Sequence, residues 1–225
     1  MILTVAGGKG GVGKTTMAYN VAAALDAVVV DADLGMADLP AGRGPDLHDA
    51  LAGRASPSEL LRPGRVDIVP CGRTLAGARA CDLTRLREVL DGLDREHGTV
   101  VVDCPAGRRA DAGVPLAVAD ACVLVVSPRA FALADAIRTR ELARTLDAGL
   151  VACVLNRVTA EPPSDLVADA LGAPVEVVPA DPRVRRSVPE EAPVVSAAPD
   201  SDPARALESV AARVPDGDRF EAAFG

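Results

Sequence analysis

Lys9 and Lys14 stand in one glycine-rich run, Gly8-Lys9-Gly10-Gly11-Val12-Gly13-Lys14-Thr15-Thr16, and they are the only lysines among 24 basic residues. From Gly8 to Thr15 the run has the spacing G-x-x-x-x-G-K-[ST] between an apolar segment and a helical one. The chemistry of that spacing is phosphate binding. Glycines let successive backbone N–H groups converge on a polyphosphate with no Cβ in the way. A helix opening at Thr15 adds its dipole and its unpaired amides. Lys14 is placed to reach the β- and γ-phosphates of a nucleotide, and the Thr15 hydroxyl to bind Mg²⁺. The plainer reading is a strand-to-helix turn that matches by chance, and position, length and flanks together argue against it.

Two further segments offer carboxylates to that chemistry. Val28-Val29-Val30-Asp31-Ala32-Asp33-Leu34-Gly35 puts two aspartates where an apolar strand emerges, on the edge where a phosphate loop lies. Val100-Val101-Val102-Asp103 ends another apolar strand in the same way. Carboxylates so placed can hold the waters of Mg²⁺ and orient a water for in-line attack. Loop or cap aspartates are the competing reading for all three. His48 and His97 are isolated and carry no metal-ligand pattern.

These residues need a scaffold that brings strand ends together. Short β-rich runs alternate with longer helical patterns, which predicts an α/β fold with a mostly parallel twisted sheet of about seven strands and helices on both faces. The strands are expected at 2–6, 28–31, 66–69, 99–103, 121–126, 150–155 and 175–178. Helices are expected at 15–25, at 82–96 with Leu83, Leu86, Val89, Leu90 and Leu93 on one face, and at 131–146, closed by Gly149. Ser56-Pro57-Ser58-Glu59 reads as a capped helix start. The Pro-rich stretch 179–203 is expected to be mostly loop, with a last helix at 204–214. No repeat or linker divides the chain, so residues 1–225 read as one domain.

Composition narrows the class. Hydrophobic residues make up 49% but aromatics only 2%, so the core must be aliphatic. No apolar run reaches the roughly 20 residues that span a bilayer. The first residues lack a signal-peptide pattern, which with five unpaired-looking cysteines predicts a reduced, cytoplasmic setting. A net charge of −8 works against non-specific nucleic-acid binding.

The two-lysine loop resembles the deviant Walker A of the MinD/ParA family of P-loop ATPases, in its MinD-like branch. In that family the first lysine, here Lys9, reaches across a dimer interface to the partner's phosphates. The resemblance extends to Asp31-Ala32-Asp33-Leu34-Gly35, similar to the family's switch I, which implies a water-positioning role for Asp33 and a Mg²⁺-linked role for Asp31. Asp103-Cys104-Pro105-Ala106-Gly107 is similar to its Walker B and switch II, implying that Asp103 holds Mg²⁺ through water and that the Gly107 amide senses the γ-phosphate. Asn156-Arg157 resembles the family's adenine-reading pair, and Pro179 with Asp181 the loop over the other side of the base. One departure is Asp38, where MinD-like sequences carry Asn.

What this implies is an ATPase that binds ATP or ADP with Mg²⁺, works as an ATP-dependent homodimer and switches a protein partner in intracellular positioning or cell division. A DNA-partition ATPase of the ParA kind is the alternative, with Arg183, Arg185 and Arg186 as the conspicuous basic cluster. The acidic end, Pro215 to Gly225, argues against direct membrane docking even though Phe220 and Phe224 are four residues apart. A cluster-carrying relative would have to use Cys104 and Cys122, whose spacing does not suit it.

Overall fold

The computed structural model describes residues 1–35, 37–105, 110–129 and 132–215. Among them seven strands form one sheet: β1 (Ile2–Ala6), β2 (Val28–Asp31), β3 (Ile68–Val69), β4 (Val100–Asp103), β5 (Ala121–Val126), β6 (Gly149–Val158) and β7 (Val175–Pro179). The order is β3-β2-β4-β1-β5-β6-β7, and each neighbouring pair is parallel. The helices among the described residues are α1 (Lys14–Leu25), α2 (Leu47–Leu51), α3 (Leu75–Ala80), α4 (Leu86–His97), α5 (Ala110–Ala117), α6 (Ala132–Thr145), α7 (Ser164–Leu171), α8 (Pro182–Arg186), α9 (Val194–Ala197) and α10 (Asp202–Ala212).

The strands read as unbroken apolar runs because both faces of the sheet are covered. Alternate side chains go to opposite layers. Leu3, Val5, Val29, Val101 and Val123 pack with Met17 and Val21 of α1 and Leu207 and Val210 of α10. Ile2, Val30, Val100, Val102 and Leu124 pack on the other side with Val89, Leu90 and Leu93 of α4 and Val167 and Leu171 of α7. The helices on this second face are amphipathic. By contrast α1 is buried nearly all round, with Met17 through Ala22 inside, because α9 and α10 pack on it.

Register sets the site. Val5 and Asp31 both align with Asp103, so the carboxyl ends of β1, β2 and β4 lie side by side. The glycine run that leaves β1 therefore passes over the two strand-end aspartates.

Several expectations are corrected. The helix over 131–146 is closed by Asp147, which takes φ 58 while Ala148 N–H bonds back to Ala143 O at 2.9 Å; Gly149 instead opens β6. The segment 82–96 begins as a 3-10 turn, Leu83–Arg85, before α4, and Ser56–Glu59 makes one capped 3-10 turn. β3 is two residues long, since Asp67 turns its side chain to Gly64 N–H and only its carbonyl reaches β2. β6 runs three residues past Leu155. The 179–203 stretch is loop at about half of its positions, and it also holds α8, α9 and the start of α10, whose first turn takes Pro203 behind a Ser201 cap. Pro182, Pro193 and Pro203 stand at helix starts, where a missing N–H costs nothing.

That stretch is tied to α1 by one buried side chain. Asn20 Nδ2 donates to Thr16 O at 2.8 Å and to Ser187 Oγ at 2.7 Å, and Asn20 Oδ1 accepts Val194 N–H at 2.7 Å. Ser187 Oγ passes its own hydrogen to Val184 O at 2.8 Å. Every polar atom in the network is satisfied, and Asn20 and Ser187 are both buried. Asn20→Ala leaves Val194 N–H buried with no acceptor and is expected to cost about 2–3 kcal/mol in chemical denaturation. Ser187→Ala, which spares the Val194 bond, is expected to cost clearly less.

Candidate functional site

The phosphate loop begins where β1 ends and is shaped by close approach. A Cβ on Gly8 would lie 2.6 Å from Asp135 Cβ on α6, and Gly13, at φ +100, would meet Asn156 Nδ2 at 2.3 Å. Gly13 caps α1 with no side-chain hydrogen bond, so the first amides of the helix are left to a ligand. Gly10, Gly11 and Val12 form the crest of the loop. Lys14 is 7% exposed beneath it. Lys9 is on the rim, its side chain half exposed and its ammonium 3.4 Å from Asp135 Oδ2. The two lysines of one motif thus occupy different environments. Lys14 faces inward, and Lys9 lies at the surface.

Behind the loop the aspartates differ as sharply. Asp31 is buried and accepts three backbone N–H bonds, from Asp33 on Oδ1 at 3.1 Å and from Asp38 and Leu39 on Oδ2 at 3.0 Å each. Burial raises its pKa to about 6 against the pull of those three donors. Its oxygens are engaged in folding the segment that carries Asp33. Asp103 has both oxygens buried and outside ordinary hydrogen-bond geometry. Burial pushes its carboxyl up to about 8, opposed by the nearby Thr15 hydroxyl and Lys14 and reinforced by Asp31 and Asp38. Orphaned carboxylate oxygens next to a threonine hydroxyl fit a hydrated divalent cation. Asp38 is exposed, and the Thr15 hydroxyl approaches its Oδ2 at 3.5 Å. Asp33 is half buried at the bend after β2.

The residues expected at the base are also brought to the loop. Asn156 is 3% exposed; its Nδ2 donates to Val12 O at 2.8 Å and its Oδ1 is buried without a partner. Arg157, at φ 62, donates from Nη1 to Gly11 O at 2.8 Å. This unusual backbone angle breaks the register of β6 against β7 between Asn156 and Val158. Both side chains therefore brace the loop crest. Pro179, Asp181 and Thr16 line a 30 Å³ cavity with Asn156 and Arg157, room for about one water. Asp181 is occupied with Arg183, accepting its backbone N–H at 2.7 Å and its guanidinium at 2.6 Å, which lowers the carboxyl pKa. A larger cleft of 250 Å³ runs over Gly13, Lys14 and Thr15 toward Arg185. Gly107, Phe220 and Phe224 lie outside the described residues.

Sequence reasoning passed over Asp135, Asn20 and His48. Asp135 and Asn20 carry no motif, and contacts 167 residues apart, as between Asn20 and Ser187, leave no local pattern. The cysteines are free thiols and four are buried. Burial holds Cys104 well above the ordinary thiol range and pushes Cys122 up to about 12, so neither is poised as a thiolate ligand. No helix among the described residues is long and apolar enough to cross a membrane.

The comparisons agree with this geometry. A model of the CobQ/CobB/MinD/ParA nucleotide binding domain matches residues 3–194. An uncharacterized ATP-binding protein of Methanocaldococcus jannaschii is 32% identical, over 98% of this chain and 89% of that protein. The septum site-determining protein MinD of Synechocystis is 27% identical, over 95% and 88%. The solved structure of the septum site-determining protein MinD of Pyrococcus horikoshii, complexed with Mg-ADP, superposes with a TM-score of 0.85 at 28% identity, covering 93% of each chain. The strand order, the phosphate loop over paired strand-end aspartates and these matches have one source: the chain belongs to the CobQ/CobB/MinD/ParA nucleotide-binding family.

Proposed function

We propose that this protein is a Mg²⁺-dependent ATPase that dimerises on ATP and uses the dimer to switch a protein partner, in intracellular positioning or cell division. The observation that carries the reading is the split between the two lysines. Lys14 is 7% exposed and meets phosphates bound in its own loop. Lys9 is at the rim, its half-exposed side chain in an ion pair with Asp135. A phosphate presented by a second subunit can displace that contact.

The remaining residues then have defined tasks. The amides of Gly10 to Thr16 cradle the phosphates. Thr15 and Asp103 would hold Mg²⁺, which screens charge on the phosphoryl oxygens when bound. Asp31 keeps the following backbone folded, a task closer to its three N–H bonds than direct ligation would be. Asp33 positions the attacking water. Asn156 has a buried acceptor, Oδ1, left for an adenine amino group, and reading the base requires the small cavity beside Pro179 and Asp181 to open. On a DNA surface Arg183 and Arg186 would have to leave Asp181 and Glu190, which supports a protein partner over a nucleic acid.

Four variants and one surface test examine the reading. Lys14→Ala is expected to weaken ATP and ADP binding by about 10- to 100-fold. Lys9→Ala is expected to bind both within about threefold of wild type yet remain monomeric with ATP in light scattering. A Lys9→Ala protein that still dimerises on ATP overturns the trans-acting role. Asp33→Ala is expected to bind ATP normally, hydrolyse it about 10²- to 10⁴-fold more slowly and accumulate as the ATP dimer; wild-type turnover removes Asp33 from the mechanism. Asn156→Ala is expected to lose the preference for ATP over GTP in competition titrations. Finally, the ATP form is expected to stay in the supernatant with anionic vesicles at physiological salt, since the net charge is −8 and the only lysines lie in the phosphate loop.

A further inference from the structure

His48 is the buried imidazole of this fold, 2% exposed on the short helix α2. Its Nε2 lies 3.2 Å from the carbonyl oxygen of Leu34, the residue after Asp33, and 3.3 Å from Cys71 Sγ. A carbonyl can only accept, so Nε2 carries the hydrogen and Nδ1 is bare. Nδ1 is buried with no partner. The ring sits in a slot made for it: a Cβ on Gly72 would fall 2.2 Å from Nδ1, and one on Gly77 2.7 Å from it. Both glycines leave space that the imidazole fills, and the slot offers no hydrogen-bond partner to its far nitrogen. The slot is itself anchored, since Leu47 N–H bonds to Pro70 O at 3.0 Å and Asp46 and Asp49 form a reciprocal cap on α2.

The Asp33 backbone is thus gripped from two sides. Asp31 holds Asp33 N–H, and Leu34 N–H returns to Ala32 O at 3.0 Å. The Leu34 carbonyl has its side-chain partner in His48. With Nε2–H removed, that carbonyl loses its side-chain donor, and the bend after Ala32 keeps only its backbone and Asp31 bonds. We propose that His48 is a positioning residue for hydrolysis, its Nε2–H fixing the Leu34 carbonyl and thereby the direction in which Asp33 presents its carboxylate. The inference rests on the reading of Asp33 as the water-positioning group. His48 itself touches no nucleotide.

The test measures kcat and KM for Mg-ATP, with the affinity for a fluorescent ADP as a binding readout that needs no turnover. His48→Phe fills the slot without a donor. It is expected to lower kcat by roughly 10- to 100-fold while KM and ADP affinity stay within about twofold. His48→Gln, whose side-chain amide reaches the place of Nε2, is expected to recover most of kcat. His48→Asn, whose amide reaches only as far as Nδ1, is not. If the Phe variant fails to fold, the Gln and Asn variants decide: Gln faster than Asn by fivefold or more supports the proposal, and equal rates overturn it. A folded His48→Phe protein with wild-type kcat overturns it while Asp33→Ala remains slow. Wild-type turnover in Asp33→Ala removes the role on which the proposal rests, a failure that the other variants cannot mimic.

Discussion

Asp31, Asp103 and Lys14 are three ionisable groups buried at one edge of an aliphatic sheet, and the architecture around them is organised by the cost of desolvating their charged forms. The two carboxylates are adjacent in register, Asp31 opposite Asp103, and Asp31 adds to the burial that raises Asp103. The protein resolves the two differently. Asp31 receives three backbone N–H bonds, and in doing so folds the segment after β2 into a compact bend. Asp103 receives no comparable set of donors, and its pKa stands about two units above that of Asp31. A carboxylate compensated by its own backbone has a structural job. One left uncompensated beside a hydroxyl and an ammonium is disposed to take a cation.

The loop above these groups is braced from outside as well as by its own glycines. Asn156 and Arg157 grip the Val12 and Gly11 carbonyls, and Asp135 presses against Gly8 while pairing with Lys9. Through Asn20, α1 carries the 182–198 segment with it. The loop is thereby joined to three places: the base cavity, α6, and the helices behind α1. That arrangement suits a protein whose bound nucleotide must be legible on its surface.

Asp38 modifies this scheme. Its carboxylate faces the Thr15 hydroxyl at 3.5 Å and adds to the field that raises Asp103.

The local signals were strong where a residue's role is set by its immediate neighbours in the chain. The apolar runs of β1, β2, β4 and β5 announce buried parallel strands, and Gly8 to Thr15 announces a phosphate loop, because both depend on backbone conformation and periodicity alone. The aspartates at strand ends were legible for the same reason. What the chain alone did not reveal is which partners those residues find. That Asp31 is used up by its own backbone while Asp103 is not, that Asn156 turns to Val12, and that Asp181 is spent on Arg183 are outcomes of packing between distant segments. The short helices inside the 179–203 stretch were not legible because prolines at helix starts and prolines in loops look alike until Asn20 gives the segment something to fold against. His48 was an isolated histidine on paper; its meaning comes from Leu34, Cys71, Gly72 and Gly77, gathered by the parallel pairing of β2 with β3. Sequence periodicity determines the elements and the types of chemistry they carry. Long-range burial decides which polar atom is satisfied and which is left for a ligand, because desolvation depends on everything that surrounds an atom and not on its place in the chain.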